Sequence, residues 1–529
     1  MSLINKIITS LLLLLSLSVC AQQIPNQILK SEIFKDEYKE SSIVYADQQE
    51  NGGIIMVRSY EGSGLSNNRG YYLEKYDSNL KLLKEFDYPL KYETYEKYGT
   101  ILGIVKSKET IQIIDIVYNI NEKAFICSAA ILDIDQPKAS KKELFRLSRE
   151  EIKKYGTLSL TDSFYNKPFI EHTSDSKAPP ISMITNEKKD AFAIIVNFKV
   201  QKAETLKMFL FDNTLNKKLE HVYTRDIKER KFFYENMDIS KDGNTLYLLA
   251  KIYSDEKKSK KFGGPYQYEL TRFTADGEKT QVFDTDEHFV ASLTTIASDN
   301  KIICVGFYSD RNENRYKGIS YFELDAATLD IRKSKFNPFS QQFLIDKYGE
   351  ESDKELKNLV IRKIHMTAKN EIILNAEEFY IASTPATMNG GGSHTFFIYD
   401  DIVSAKITNT GELAWARNIN KSQSTGSDEM AHLSYTSTIK NDDTYFFINA
   451  AEKIKKLDNN RIQFNSVRKN KSNMNIIRIS QNGDFEYQEI LNNEENEVPF
   501  MVSEGIINNN SVFFLGKKGK NKQLLKVTL

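Results

Sequence analysis

One short pattern recurs along this 529-residue chain. Residues 239–250 read ISKDGNTLYLLA: an apolar residue, a tight polar turn, then a β-branched and aromatic run. IASDNKIICVGF (296–307), MTAKNEIILNAE (366–377), IKNDDTYFFINA (439–450) and INNNSVFFLGKK (507–518) repeat it. Looser copies lie at 42–60, 100–118 and 181–198. Short apolar runs bounded by Asn, Asp and Gly predict strands, and two such runs around a tight turn predict a hairpin.

A second hairpin follows most copies. One version reads aromatic or Leu, Asp, a short turn, then Leu: Tyr76-Asp77 with Leu80, Phe211-Asp212 with Leu215, and Leu324-Asp325 with Leu329. The other closes its turn on Gly277, Gly411 or Gly483. Glycine suits that place because it takes positive φ without a Cβ clash. Two hairpins make four antiparallel strands, and such units begin near residues 42, 100, 181, 233, 291, 359, 433 and 498. One unit cannot bury both of its faces alone, so units must stack. The prediction is an all-β chain, a β-propeller of four-stranded blades. Eight blades fit these starts, with seven as the alternative. The last unit shows three strands, ending at 523–529, and residues 27–38 resemble an outer strand such as 81–88. An N-terminal strand is therefore expected to close the ring and remove its open edge. Residues 22–529 read as a single domain, with helical or loop insertions near 148–180 and 338–358.

AKITNTGELAWARNI (405–419) resembles the β-propeller repeat of secreted bacterial proteins, with Gly411 at the turn and Trp415 in the next strand. The units with Gly277 and Gly483 share the turn but carry Lys279 to Phe283 and Phe485 to Tyr487 where the Trp segment would stand. The resemblance implies a secreted propeller and no chemistry. Signatures of WD and kelch repeats are absent.

The first 21 residues read as a signal peptide. Lys6 supplies the positive start, Leu11 to Leu15 the apolar run, and Val19-Cys20-Ala21 the small residues before Gln22. The run is too short for a membrane span, and no later stretch approaches the required length of about 20 apolar residues. The expected chain is exported, periplasmic or secreted. Leu17-Ser18-Val19-Cys20 also resembles a lipobox, although Val19 departs from the usual Gly, Ala or Ser. Lipidation of Cys20 would make the protein a lipid-anchored surface subunit. Cys127 and Cys304 sit in apolar runs and are expected as buried free thiols.

Lys and Arg total 72 against 72 Asp and Glu, a net charge of zero. That balance argues against a nucleic-acid partner, and against a membrane partner unless Cys20 is lipidated. The basic run at 257–261 reads as a solvated loop. No metal or cofactor motif emerges. DTDEH (284–288) and the pair Asp133 and Asp135 read as solvated acidic turns. No G-x-S-x-G occurs, and GKKGKNK (516–522) lacks phosphate-loop spacing. Glu377 and Glu378 are adjacent in a strand and so face opposite ways.

Loop lengths carry the functional hint. With strands A to D in each blade, A–B and C–D turns share one face and are short. B–C connections on the other face are long, at 61–70, 254–267, 309–318 and 382–394. D–A connections are long too. SREEIKKYG (148–156) reads as a capped helix with Ser148 as N-cap, Glu151 as its capping-box partner and Gly156 as its stop; SQQFLIDKYG (340–349) is similar. Long connections on a rigid scaffold gather function. Strand B ends in an aromatic residue in several units: Tyr60, Tyr118, Phe198, Tyr253, Tyr308 and Tyr380, with Asp255 and with Asp310-Arg311 just beyond two of them. Tyr60, Tyr118, Tyr253, Asp255, Tyr308, Asp310, Arg311 and Tyr380 are the candidate ligand-binding set, although aromatic strand ends more often pack between neighbouring blades. The expected function is an interaction module that binds a protein or small ligand at the long-loop face. A hydrolase or lyase with its site at the central channel mouth is the alternative. Mass spectrometry of the mature N-terminus is expected to show a free Gln22; an acylated Cys20 would assign the anchored form instead.

Overall fold

The computed structural model describes residues 24–62, 68–136, 139–158, 160, 163–164, 179–199, 203–228, 231–253, 266–285, 288–310, 315–384, 394–426 and 429–529. Residues 1–21, read as a signal peptide, lie outside the described residues together with Cys20. Eight antiparallel sheets follow one another, each with its strands in the order A–B–C–D. Blade 4 shows the plan: Phe232–Ile239, Leu246–Tyr253, Tyr266–Thr274 and Gly277–Val282. A strands of neighbouring blades approach one another, as Glu40–Gln48 does Ile506–Asn508, so the A strands form the inner ring. The chain is an eight-bladed β-propeller, which settles the choice between seven and eight.

Sequence patterning explains the stacking. Strand B of blade 4 is buried along its whole length. Leu246, Leu248, Ala250 and Ile252 pack toward blade 3, whereas Tyr247 and Leu249 pack toward blade 5. Strand B of blade 5 divides likewise, with Ile302 and Cys304 toward blade 4 and Ile303, Val305 and Phe307 toward blade 6. A continuous apolar run thus serves two interfaces, because alternate side chains leave opposite faces of a strand. Apolar layers fill all eight gaps, including that between blades 8 and 1, where Phe513, Leu515 and Leu524 meet Ile43, Ile54 and Met56. Each large apolar side chain buried this way contributes about 1.5–3 kcal/mol. Cys127 and Cys304 belong to these layers as free, buried thiols.

The C–D turns hold a detail that composition hides. Gly411 and Gly483 take φ of 90° and 91°, and Leu80, Leu215 and Leu329 take φ of 61°, 67° and 58° in the corresponding turns. This left-handed conformation costs an L-residue about 1–2 kcal/mol. Burial of the three Leu side chains offsets it. The preceding Asp locks the turn: Asp77 accepts from the N–H groups of Asn79 and Lys81, both at 2.9 Å, and Asp212 from those of Thr214 and Asn216, both at 3.0 Å. Donors from the preceding blade then grip each of several turns. Trp415 Nε1 donates to Gln481 O at 3.0 Å, Asn337 Nδ2 to Gly411 O at 2.9 Å, Tyr247 Oη to Ala326 O at 3.2 Å, and Gln112 Nε2 to Asn213 O at 3.1 Å.

The ring closes as the repeat predicts. Gln27–Lys30 pairs antiparallel with the last strand, Asn521–Thr528, and Phe34–Lys35 continues beside it. Between them Ser31 donates its N–H to Leu524 O at 2.9 Å and accepts from Leu524 N at 2.9 Å. The chain then enters blade 1 past a buried ion cluster. Arg58 reaches Asp36 at 2.7 Å and Glu74 at 2.5 Å, and Ser41 Oγ donates to Asp36 at 2.8 Å. Phe34 and Tyr72 lie against the guanidinium, 4.9 and 5.1 Å from ring centre to Cζ. One cation therefore ties the closing segment to strands B and C of blade 1. Removing it leaves two carboxylates buried without their partner. Arg58→Ala is expected to lower unfolding free energy by about 3–5 kcal/mol, read from urea unfolding followed by circular dichroism.

Candidate functional site

Both expected helices form on the long-loop face. Helix α1 (Arg149–Tyr155) starts at Ser148, whose hydroxyl accepts from Glu151 N at 3.1 Å, and ends at Gly156. The Glu151 carboxylate reaches Lys207 of blade 3, so its charge serves an inter-blade pair. Helix α2 (Gln341–Tyr348) runs from Ser340 to Gly349, which takes φ of 83°. Beyond α1, Ser163–Phe164 pairs in parallel with the inner edge of blade 2's A strand, opposite Thr100 and Ile101.

The most developed part of this face is a crown over blades 6 and 7. Strands B and C of blade 6, Ile372–Thr384 and His394–Ile407, outrun strand A, Leu359–Met366. A–B pairing ends at Glu378, while B–C pairing continues to Thr384 opposite His394. Lys421–Thr425 then pairs with strand C, and Ile462–Asn465 pairs in parallel with Lys421–Thr425 and antiparallel with Lys455–Lys456. Two connections and one overlong hairpin thus make one sheet.

A buried ion network supports the crown. A register shift between Ile361 and Lys363 marks a bulge at Arg362, and its guanidinium meets Glu377 at 2.8 Å. Lys421 Nζ meets the other Glu377 oxygen at 2.7 Å and donates to Tyr399 O at 2.8 Å. Ser434, held at φ of 61°, donates its hydroxyl to Glu377 at 2.8 Å. Burial pushes the Glu377 carboxyl up, but Lys421 and Arg362 outweigh it and hold it below the usual carboxylate range. Glu378 turns the other way, as adjacency predicts: Lys347 of α2 takes it at 2.9 Å and Asp401 at 2.8 Å. Asp401 in turn accepts from Lys421 N at 3.0 Å, which joins the two halves.

Beside this network Glu429, His432, Asn449, Ser466, Lys469 and Ser472 line a small open depression. Its room is about that of one water molecule, far below a ligand pocket. Glu429 and Lys469 pair at 3.7 Å. His432 Nδ1 lies 3.1 Å from Phe500 O. A carbonyl only accepts, so Nδ1 carries the proton and Nε2 keeps its lone pair. Asn449 Nδ2 fixes the surroundings by donating to His432 O and Phe500 O, at 3.1 and 3.0 Å. Burial pushes the imidazole pKa down to about 4, against a smaller upward effect of the Phe500 carbonyl.

The strand-end residues are not brought together. Tyr60, Tyr118, Tyr253, Tyr308 and Tyr380 stand on the B strands of five different blades. Their rings pack mainly within their own blades: Tyr60 on Tyr72 at 4.5 Å, Tyr118 on Phe125 at 5.0 Å, Tyr253 on Tyr266 at 5.4 Å and Tyr308 on Phe336 at 5.2 Å. Tyr60 also donates to Asp87 at 2.7 Å, and Tyr380 to Asp400 at 3.4 Å from a more exposed position. Asp310 pairs with Lys317 and lies 3.8 Å from His288. Asp255 and Arg311 lie outside the described residues, as do Asp286, Glu287 and the 257–261 run. Asp133 caps its own turn, and Asp135 pairs with Lys75 at 3.1 Å. Among the described residues no three His, Cys, Asp or Glu side chains gather to hold a metal. Residues that pattern reading missed, Arg362, Lys421, Ser434 and His432, are single polar insertions spread over the D–A connection and two strands. The one signal was Glu377-Glu378 within an otherwise apolar strand.

No protein-family model matches the sequence, and no curated protein matches it. Among solved structures the chain is similar to the β-propeller domain of the trilobed protease from Pyrococcus furiosus, at 9% identity and a TM-score of 0.32, over 72% of this chain and 93% of that one. It is also similar to prolyl oligopeptidase B from Galerina marginata, at 9% identity and a TM-score of 0.37, over 92% of this chain and 55% of that one. Acylaminoacyl peptidase from Pyrococcus horikoshii matches at 9% identity and a TM-score of 0.32, over 79% of this chain and 49% of that one. This chain therefore spans about half the length of the two whole peptidases.

The depressed His432 pKa carries a pH consequence. The unfolded imidazole takes its proton near pH 6.5 and the folded one only near pH 4. Between those values the unfolded chain binds more protons, so stability is full above pH 6.5 and falls as pH drops toward 4. Relative to His432→Asn, the native chain is expected to lose on the order of 3 kcal/mol across that window, measured by urea unfolding at stepped pH.

Proposed function

We propose that this protein is an exported β-propeller acting as an interaction module, which takes up a protein segment or a small ligand at its long-loop face. The supporting observation is the contrast between the two faces. On one, the C–D turns are gripped by side chains of the preceding blade, as at Gln481 and Gly411. On the other, chain that the blades do not need is built into the crown and stiffened by Glu377, Lys421 and Arg362. A rigid base under accessible loops is what preorganised recognition requires. Beside the crown, the Glu429–Lys469 pair adds polar groups that a partner would meet at its surface. Export follows from the N-terminal pattern of Lys6, the Leu run and the small residues before Gln22.

The test shortens the loops at 382–394 and 254–267, alone and together, in the exported chain. The far-UV circular dichroism is expected to stay unchanged while partners recovered by crosslinking in the native host are lost. A folded variant that keeps every partner would place binding elsewhere.

A further inference from the structure

Outer strands of this propeller are guarded against edge pairing. Each carries charge: Lys84 and Glu85 in blade 1, Lys141 to Glu143 in blade 2, Lys217 and Lys218 in blade 3, Glu278 and Lys279 in blade 4, Arg332 and Lys333 in blade 5, Arg417 in blade 6, Glu486 and Glu489 in blade 7, and Lys30 in the closing strand. The far edge of the crown is Lys455-Lys456. Charged side chains on an exposed edge deter strand addition.

On the long-loop face, the hairpin edge of blade 6 has no such guard. In strand B of blade 6, Tyr380-Ile381-Ala382-Ser383-Thr384 pairs on one side with His394 to Ile398 and, among the described residues, with no strand on the other. The A-side contact ends where Phe379 N donates to Asn358 O at 2.9 Å. Side-chain bonds of the segment stay inside the hairpin, as Ser383 to Thr395 at 3.5 Å and Thr384 Oγ1 to His394 O at 3.4 Å. Tyr380, Ile381 and Phe396 are exposed. From Phe379 to Tyr399 the chain has no Asp, Glu, Lys or Arg, although 27% of the whole sequence is charged. Such an edge is a template for another strand.

We propose that it pairs with the same edge of a second copy, joining two propellers crown to crown across a two-fold axis at Ala382. Antiparallel self-pairing sets Tyr380 opposite Thr384, Ile381 opposite Ser383, and Ala382 opposite itself. No like charges meet and a small residue sits on the axis, which is the self-complementarity an isologous contact needs. The shared edge spans five residues, roughly 17 Å at 3.4 Å each. That is short, so the pair forms reversibly rather than as a permanent dimer. The contact concerns this chain alone and stands whether or not a foreign ligand also uses the long-loop face.

Sedimentation velocity of the mature chain from about 1 to 100 µM is expected to show a monomer–dimer equilibrium. Ile381→Lys and Ser383→Lys should each weaken it at least tenfold, on the order of one charge placed at the edge. Ala382→Cys supplies a readout independent of those variants. Across the axis the two Cβ atoms would stand about 4.5–5.5 Å apart, near enough for oxidation to join them. Cys127 and Cys304 are buried and do not compete. A reducible dimer of Ala382→Cys, with Thr395→Cys on the neighbouring strand staying monomeric, supports the pairing. A native chain that remains monomeric throughout, a dimer indifferent to both Lys variants, or an Ala382→Cys chain that never crosslinks overturns it. So does binding of monomers to neutral-lipid vesicles that Ile381→Lys abolishes, which would make the crown a membrane contact.

Discussion

A blade whose middle strands are apolar on both faces can exist only between two others. Every B strand here divides its side chains between the gap before it and the gap after it, as Tyr247 and Leu248 do in neighbouring positions. No blade has a finished surface of its own, so stability belongs to the circle and not to its parts. An array left open would present two such faces to water. Pairing Gln27–Lys30 with the final strand seals the eighth sheet, and the Arg58 cluster fastens that seal to blade 1. The arrangement also explains where polar chemistry can be afforded. Turns and connections at the two ends of the stack are free of the sandwich, and the Glu377 network draws on them, whereas charges inside the blades, such as Arg58 and Glu74, are paired.

Much of this was legible in the residues. Hairpins announce themselves through turn chemistry, since Asp and Asn satisfy backbone groups locally and Gly takes positive φ. Eight such signals gave the blade count, and the likeness of residues 27–38 to the outer strand at 81–88 revealed the closure. Leu80, Leu215 and Leu329 show where local reasoning ends. Leucine has no preference for the left-handed region, and only the pocket it fills in the finished stack holds it there. In blade 6 the connection read at 382–394 overlaps the strands only at Ala382 to Thr384 and at His394.

Loop length singled out one face, and the aromatic strand ends on it pack within their own blades, the role that rings at such positions usually have. The B strands of a propeller diverge around the ring, so equivalent positions in different blades stay apart. Side chains from different blades converge where chain crosses between them, as Ser434 and Lys421 come to Glu377. A lone Lys in a five-residue strand gives no hint of that in sequence. Convergence of this kind is written in the connections, and their paths are set by the completed architecture.

The crown has one further consequence. Eight near-equivalent sectors would give a disc no angular reference, and a visitor could settle at any of eight bearings. Among the described residues, the raised ridge on sectors six and seven breaks that degeneracy. A partner seated there would meet the disc at one compass heading, so the ridge would set orientation as well as position.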